Sequence, residues 1–110
     1  MTYHEIFMKV REGFESADAR AIFDHIAVQV NIEGEGSGCF YIEVAERYAT
    51  VEPYDYYDRD GLLTADGATL IAIAEGKLNV IEAWRQGVLH AEGNYDKLKK
   101  LSRIKFRQRN

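Results

Sequence analysis

At 110 residues with 46% apolar side chains, the chain has the size of one globular domain with one core. No apolar run approaches the roughly 20 residues of a membrane span, and Met1-Thr2-Tyr3-His4-Glu5 has neither the basic stretch nor the apolar core of a signal peptide, so a soluble cytoplasmic protein is expected. The lone Cys39 excludes an internal disulfide and has no partner at zinc-site spacing, while the net charge of −4 is spread unevenly along the chain.

Thr2 followed by Glu5 has the spacing of a capping box, and Tyr3, Ile6, Phe7, Val10, Phe14 and Ala17 recur at the helical period. A first amphipathic helix is expected, which Gly13 frays or ends after Phe14. Asp18 stands as N-cap of a second, short helix through Ala19, Ala21, Ile22 and Phe23. From His25 the period changes to two, with Ile26, Val28, Val30 and Ile32 on one side of a strand. Glu33-Gly34-Glu35-Gly36-Ser37-Gly38 tolerates positive φ, and Phe40, Ile42 and Val44 resume the alternation, so the two strands form a hairpin. A third strand, Tyr48 to Glu52, follows a tight turn at Ala45-Glu46-Arg47 and is ended by Pro53.

Tyr54-Asp55-Tyr56-Tyr57-Asp58-Arg59-Asp60 has no period and reads as a loop into a short strand, Gly61 to Ala65. Asp66 caps a helix bearing Leu70, Ile71, Ile73 and Ala74, which Gly76 stops. Asn79 with Glu82 caps another, bearing Ile81, Ala83 and Trp84 and closed by Gly87. Val88 to Glu92 reads as the last strand, and Asn94 caps a terminal helix with Tyr95, Leu98 and Leu101. This mixed order of short strands and helices predicts an α+β domain: a mainly antiparallel sheet with helices over one face. The helices at Leu70 to Ala74 and Val80 to Trp84 are more apolar than a surface cover requires, which fits either core packing or a ligand cavity.

The stretch Asp60 to Leu101 resembles the signature of the SCP2 (sterol carrier protein 2) sterol-transfer family. The residues that carry the likeness are Gly76-Lys77-Leu78 after a helix, Ala83-Trp84 within the next, then Gly87, the strand Val88 to Glu92, and Gly93-Asn94. The resemblance implies an SCP2-like fold, with a five-stranded sheet, helices over one face and an apolar tunnel between them. It further implies that the tunnel holds a sterol, fatty acyl chain, phospholipid or isoprenoid. The chain departs from the family in having Val80 where a proline is common, Trp84 where phenylalanine is usual, and Arg107-Gln108-Arg109-Asn110 in place of a peroxisomal address. The last departure fits a small, bacterial-type, cytoplasmic member.

Gly34-x-Gly36-x-Gly38 leads into a strand rather than a helix, so it reads as a hairpin turn and not as a phosphate loop. Asp55, Asp58, Asp60 and Asp66 lack the spacing of a calcium loop. His4, His25 and His90 are scattered, Cys39 opens a strand beside a glycine, and Glu43 and Glu52 would need the fold to bring them together. No catalytic residue, metal or cofactor is therefore assigned, and a protein that catalyses nothing is expected. The residues expected to line a cavity are Ile71, Ile73, Leu78, Ile81 and Trp84, with Phe7, Val10 and Phe14 closing its far side; the opposing reading is a dry, filled core. The partner is a hydrophobic small molecule or lipid, or, for an interaction module of the same fold, another protein against a cavity filled by Trp84 and the tyrosines.

Residues 1 to 96 carry a net −11 and residues 97 to 110 a net +7. A lipid-binding domain over 1–102 with a basic tail over 103–110 is expected. Peripheral contact of that tail with an anionic membrane, without specific nucleic-acid binding, is one reading of the asymmetry. The other is that the tail complements its own acidic domain.

Overall fold

The structure, a computed structural model, describes residues 1–55 and 57–107. Tyr56 of the expected loop and residues 108–110 of the expected tail lie outside the described residues. Five strands form one sheet: β1 (Ile26–Glu33), β2 (Gly38–Ala45), β3 (Tyr48–Glu52), β4 (Gly61–Asp66) and β5 (His90–Gly93). Their order is β3-β2-β1-β4-β5, antiparallel throughout except for the central β1–β4 pair, which is parallel. The helices are α1 (Tyr3–Glu15), α2 (Gly67–Ala74), α3 (Val80–Arg85) and α4 (Tyr95–Lys99), the last continued by a 3₁₀ turn, Lys100–Arg103.

Alternation places the apolar side of each strand on the helix-covered face. Ile26, Val28 and Val30 stand opposite Val44, Ile42 and Phe40, and all six are buried. Across the parallel pair, Val30 faces Leu63 and Ile32 faces Ala65. Above this floor α1 lays Ile6, Phe7, Val10 and Phe14, with the Phe7 ring edge-on to Phe40 at 5.9 Å. The capping box forms as expected, Thr2 Oγ1 accepting from Glu5 N at 3.2 Å and Glu5 Oε1 from Thr2 N at 3.0 Å. No polar or charged residue is buried among those described, so the interior is apolar throughout. No helix among the described residues is long and apolar enough to cross a membrane.

Three elements differ from the sequence expectation. Gly13 does not end α1, which runs to Glu15; it lies buried against α2, where a Cβ would stand 2.7 Å from Ala74 Cβ. The second helix after Asp18 does not form. Asp18 turns its carboxylate onto Arg20 instead, accepting from the Arg20 backbone N–H at 2.9 Å and from its guanidinium at 3.0 and 2.9 Å. This local side-chain bonding competes with a helical start. The Asp18 backbone meanwhile pairs with Lys105 by two hydrogen bonds, at 2.9 and 2.8 Å. The last strand begins at His90 rather than Val88, because the N–H groups of Val88 and Leu89 both donate to the Ala83 carbonyl in the last turn of α3.

The Lys105 bridge also bears on the expected tail. Ile104 is buried and Phe106 stacks edge-on to Phe14 at 4.9 Å, so the described part of 103–110 is packed on the domain rather than hanging from it. The reason is the alternation Ile104, Phe106 between cations, which gives the segment an apolar side.

Candidate functional site

The eight residues expected to line a cavity fall into three places. Phe7, Val10, Phe14, Ile71 and Ile73 are buried in the packed layer between α1, α2 and the sheet. Leu78 borders a mostly polar hollow of about 150 Å3 between the α2–α3 link and residues 101–106. Ile81 and Trp84, three residues apart and so on one helix face, look onto a separate apolar notch.

That notch is bounded by α3, α4 and the edge of the sheet. Leu63 and Ala91, paired across β4 and β5, form its floor together with Leu89. Val80, Ile81 and Trp84 form one wall; Tyr95, Leu98 and Lys99 form the other. Its volume is about 20 Å3, room for roughly one water. Where the family resemblance implies a tunnel, the structure has this narrow opening beside a filled core. Trp84 departs from the expectation of a buried indole: it is 44% exposed and stacks on Tyr95, ring centroids 6.2 Å apart and planes at 28°. The helix explains this, because α3 has only six residues and turns Val80 and Ala83 inward, leaving Trp84 at the mouth.

The walls are set by caps and one ion pair. Asn79 caps α3 by accepting from Ile81 N at 2.8 Å, and Asn94 caps α4 by accepting from Lys97 N at 3.2 Å. Asp60 ties α4 to the sheet: its carboxylate accepts from Ala27 N of β1 at 2.8 Å and from Lys97 Nζ at 3.1 Å. The Asp60 backbone adds bonds to the Ala27 carbonyl at 2.7 Å and from Asn94 N at 2.8 Å. Burial pushes the Asp60 carboxyl up, but the Ala27 N–H and the Lys97 ammonium outweigh it and leave the group below the usual carboxylate range.

Sequence reasoning named Ile81 and Trp84 and missed the other seven lining residues. Tyr95, Leu98 and Lys99 carry a legible signal, the spacing of one helix face. Leu63 and Ala91 carry none, since nothing local shows that β4 pairs with β5 in that register. The residues weighed for chemistry lie elsewhere. His25 Nε2 is 2.7 Å from Glu43 Oε2 in an exposed pair, and Glu52 lies beside Arg11 at 4.0 Å. Asp66 accepts from Thr69 N at 2.8 Å as the cap of α2.

Comparison with known proteins now bears on this architecture. The model of the SCP-2 sterol transfer family matches residues 7–105, whereas no curated protein matches the chain. Among solved structures, sterol carrier protein 2 like 2 from Aedes aegypti is similar in fold, with a TM-score of 0.67 at 20% identity over 91% of this chain and 93% of that one. The solution structure of the palmitated form of that protein gives 0.65 at 20% identity, covering 94% and 93%. The ubiquinone synthesis protein UbiJ-SCP2 gives 0.64 at 16% identity, covering 92% and 90%. With a family match that runs from the first helix to the last described segment, the chain belongs to the SCP-2 sterol transfer family.

Proposed function

We propose that this chain binds the apolar chain of an amphiphile with an anionic head, non-covalently, by entry through the notch between α3 and α4, and performs no chemistry on it. The observation that carries the reading is the lining itself: eight of its nine residues present apolar or aromatic surface, and the ninth, Lys99, sets a single cation at the rim. Such a site holds a hydrocarbon by burial, at about 0.8 kcal/mol per methylene, and orients it by one charge. The palmitated Aedes aegypti protein, which shares the fold, supports an acyl chain as the class.

A site of about 20 Å3 takes a chain only if its walls part. Val80 borders both the notch and the polar hollow beside Leu78, so an outward shift of α3 joins the two spaces. The smallness of the notch also favours the rival reading, a protein-interaction module with a filled cavity. Titration with palmitate brominated along its chain separates them. Trp84, the only tryptophan, stands at the mouth and is expected to be quenched to saturation; Lys99→Ala is expected to weaken binding of brominated palmitate and spare that of a brominated alkane. An indole that stays bright while the ligand demonstrably binds would place the site elsewhere. Absence of binding, together with a discrete oligomer in native mass spectrometry, would favour the interaction module.

A further inference from the structure

Three segments remote in sequence converge where the chain enters β1 and turns from β2 into β3: the turns of residues 18–23, the Glu46–Arg47 turn, and the C-terminal residues 103–107. Arg20, Arg47, Arg103 and Lys105 surround one shallow hollow that contains Phe23. Arg107 and Tyr48 extend the same surface. Among the described residues of this lining Asp18 is the single carboxylate, and it is committed to Arg20. Arg47, Arg103, Lys105 and Arg107 form no ion pair among the described residues.

The contrast with the rest of the cationic segment is informative. Lys97 and Lys100 complement the acidic domain, on Asp60 at 3.1 Å and Asp24 at 2.7 Å. Arg47, Arg103, Lys105 and Arg107 are left facing outward. Among them sit two aromatic rings that a folded domain has no internal reason to expose, Phe23 at 77% and Tyr48 at 52%. Arg47 is held over the Phe23 ring at 4.5 Å, while its Nε donates to the Arg20 carbonyl at 2.7 Å. It occupies a left-handed backbone position, φ 65°, next to Glu46 at φ 52°. Glycine or asparagine is the relaxed occupant of such a turn, and strain of this kind marks functional positions when other evidence agrees.

We propose that this surface docks the protein on an anionic phospholipid membrane, with Arg20, Arg47, Arg103, Lys105 and Arg107 against the lipid phosphates and Phe23 set into the interfacial layer. A bilayer satisfies both halves of the pattern, since cations near its surface contribute additively and an aromatic ring gains by leaving water there. A nucleic-acid duplex, with its bases paired and stacked, would satisfy only the cations, and any longer footprint would meet the net −11 of residues 1 to 96. The inference is independent of the notch, with which this surface shares no lining residue among those described.

The test is flotation of the full chain with vesicles of phosphatidylcholine and phosphatidylglycerol, against phosphatidylcholine alone and against duplex DNA. Binding only to the anionic vesicles, and its loss with rising salt, are expected. Arg103→Ala with Lys105→Ala removes two cations that form no ion pair among the described residues and should weaken partition about 25-fold, from roughly fivefold per cation. Phe23→Ala should weaken vesicle binding and leave any DNA binding unchanged. Arg85→Ala, a cation outside the surface, should change neither, and circular dichroism checks that each variant is folded. Undiminished partition of the double variant, indifference of vesicle binding to Phe23→Ala, or DNA bound as tightly as vesicles would each overturn membrane docking.

Discussion

Gly13 sets how closely two helices approach. In α1 it costs about 1 kcal/mol relative to alanine, which from sequence alone reads as a weakness. In the structure its missing methyl group is what lets α1 meet Ala74 of α2, whose backbone carbonyl stands even nearer than its Cβ. A backbone cannot give way as a flexible side chain does, so Gly13→Ala should overpack the contact by about 1–3 kcal/mol or more, exceeding the helix gain. The expected outcome is a melting temperature lower by about 4 °C or more; an unchanged or raised value would show that the two helices are free to part. Trp84 teaches the converse. Its apolarity predicts burial, but the shortness of α3 leaves it stacked on Tyr95 at the surface, where it borders the notch and does not fill the core.

At the scale of elements, α4 depends on one carboxylate. Asp60 precedes β4, yet its side chain reaches both β1 and α4. Asp60→Ala leaves the Ala27 N–H and the Lys97 ammonium without that acceptor and should cost about 1.5–3 kcal/mol. Because the carboxyl is held below its usual range in the folded state, its stabilisation is complete above the unfolded value of about 4. As pH falls below that, the unfolded chain takes up the proton first and the contribution is lost on the way to the lower, folded value. Asp60→Asn should therefore flatten part of the acid limb in a denaturant series run from neutral pH downward. An acid limb identical to that of the unaltered chain would mean that the ion pair adds nothing to folding. Asp66, held low by its bonds to Thr69, supplies a further part of that limb through the cap of α2.

For the whole molecule, the question is how a filled domain admits a ligand. The layer under α1 and α2 is built from buried apolar side chains, whereas α3, of six residues, and α4, of five, are short and rely on caps and the Asp60 latch. Short elements with few internal hydrogen bonds open at low cost. Palmitate that binds the folded state alone should raise the melting temperature progressively, by the equivalent of about 2.7 kcal/mol at a hundredfold excess over Kd. A transition that stays put across the solubility range of palmitate would remove support for a carrier. Separate surfaces then serve separate purposes under the two proposals: the notch beside β5 receives the chain, and the cationic surface around the β2–β3 turn meets the membrane that supplies it.

Local chemistry determined much of this in advance. Capping residues Thr2, Asp66, Asn79 and Asn94, the period-two runs of β1 and β2, and the glycine spacing after Ala74 each act over a few residues, and each is visible in the sequence. The family likeness rests on the same local pattern. What tertiary structure alone decided is where distant segments meet: the parallel pairing of β1 with β4, the Leu63–Ala91 floor of the notch, the exposure of Trp84, and the docking of Lys105 on Asp18 in place of a helix. These depend on long-range register and on competition between partners for one hydrogen bond or one space. The same holds for the basic segment, whose charge is plain from its composition but whose division into Lys97 and Lys100, which bind their own domain, and cations that face outward was set only by where Asp24 and Asp60 come to lie.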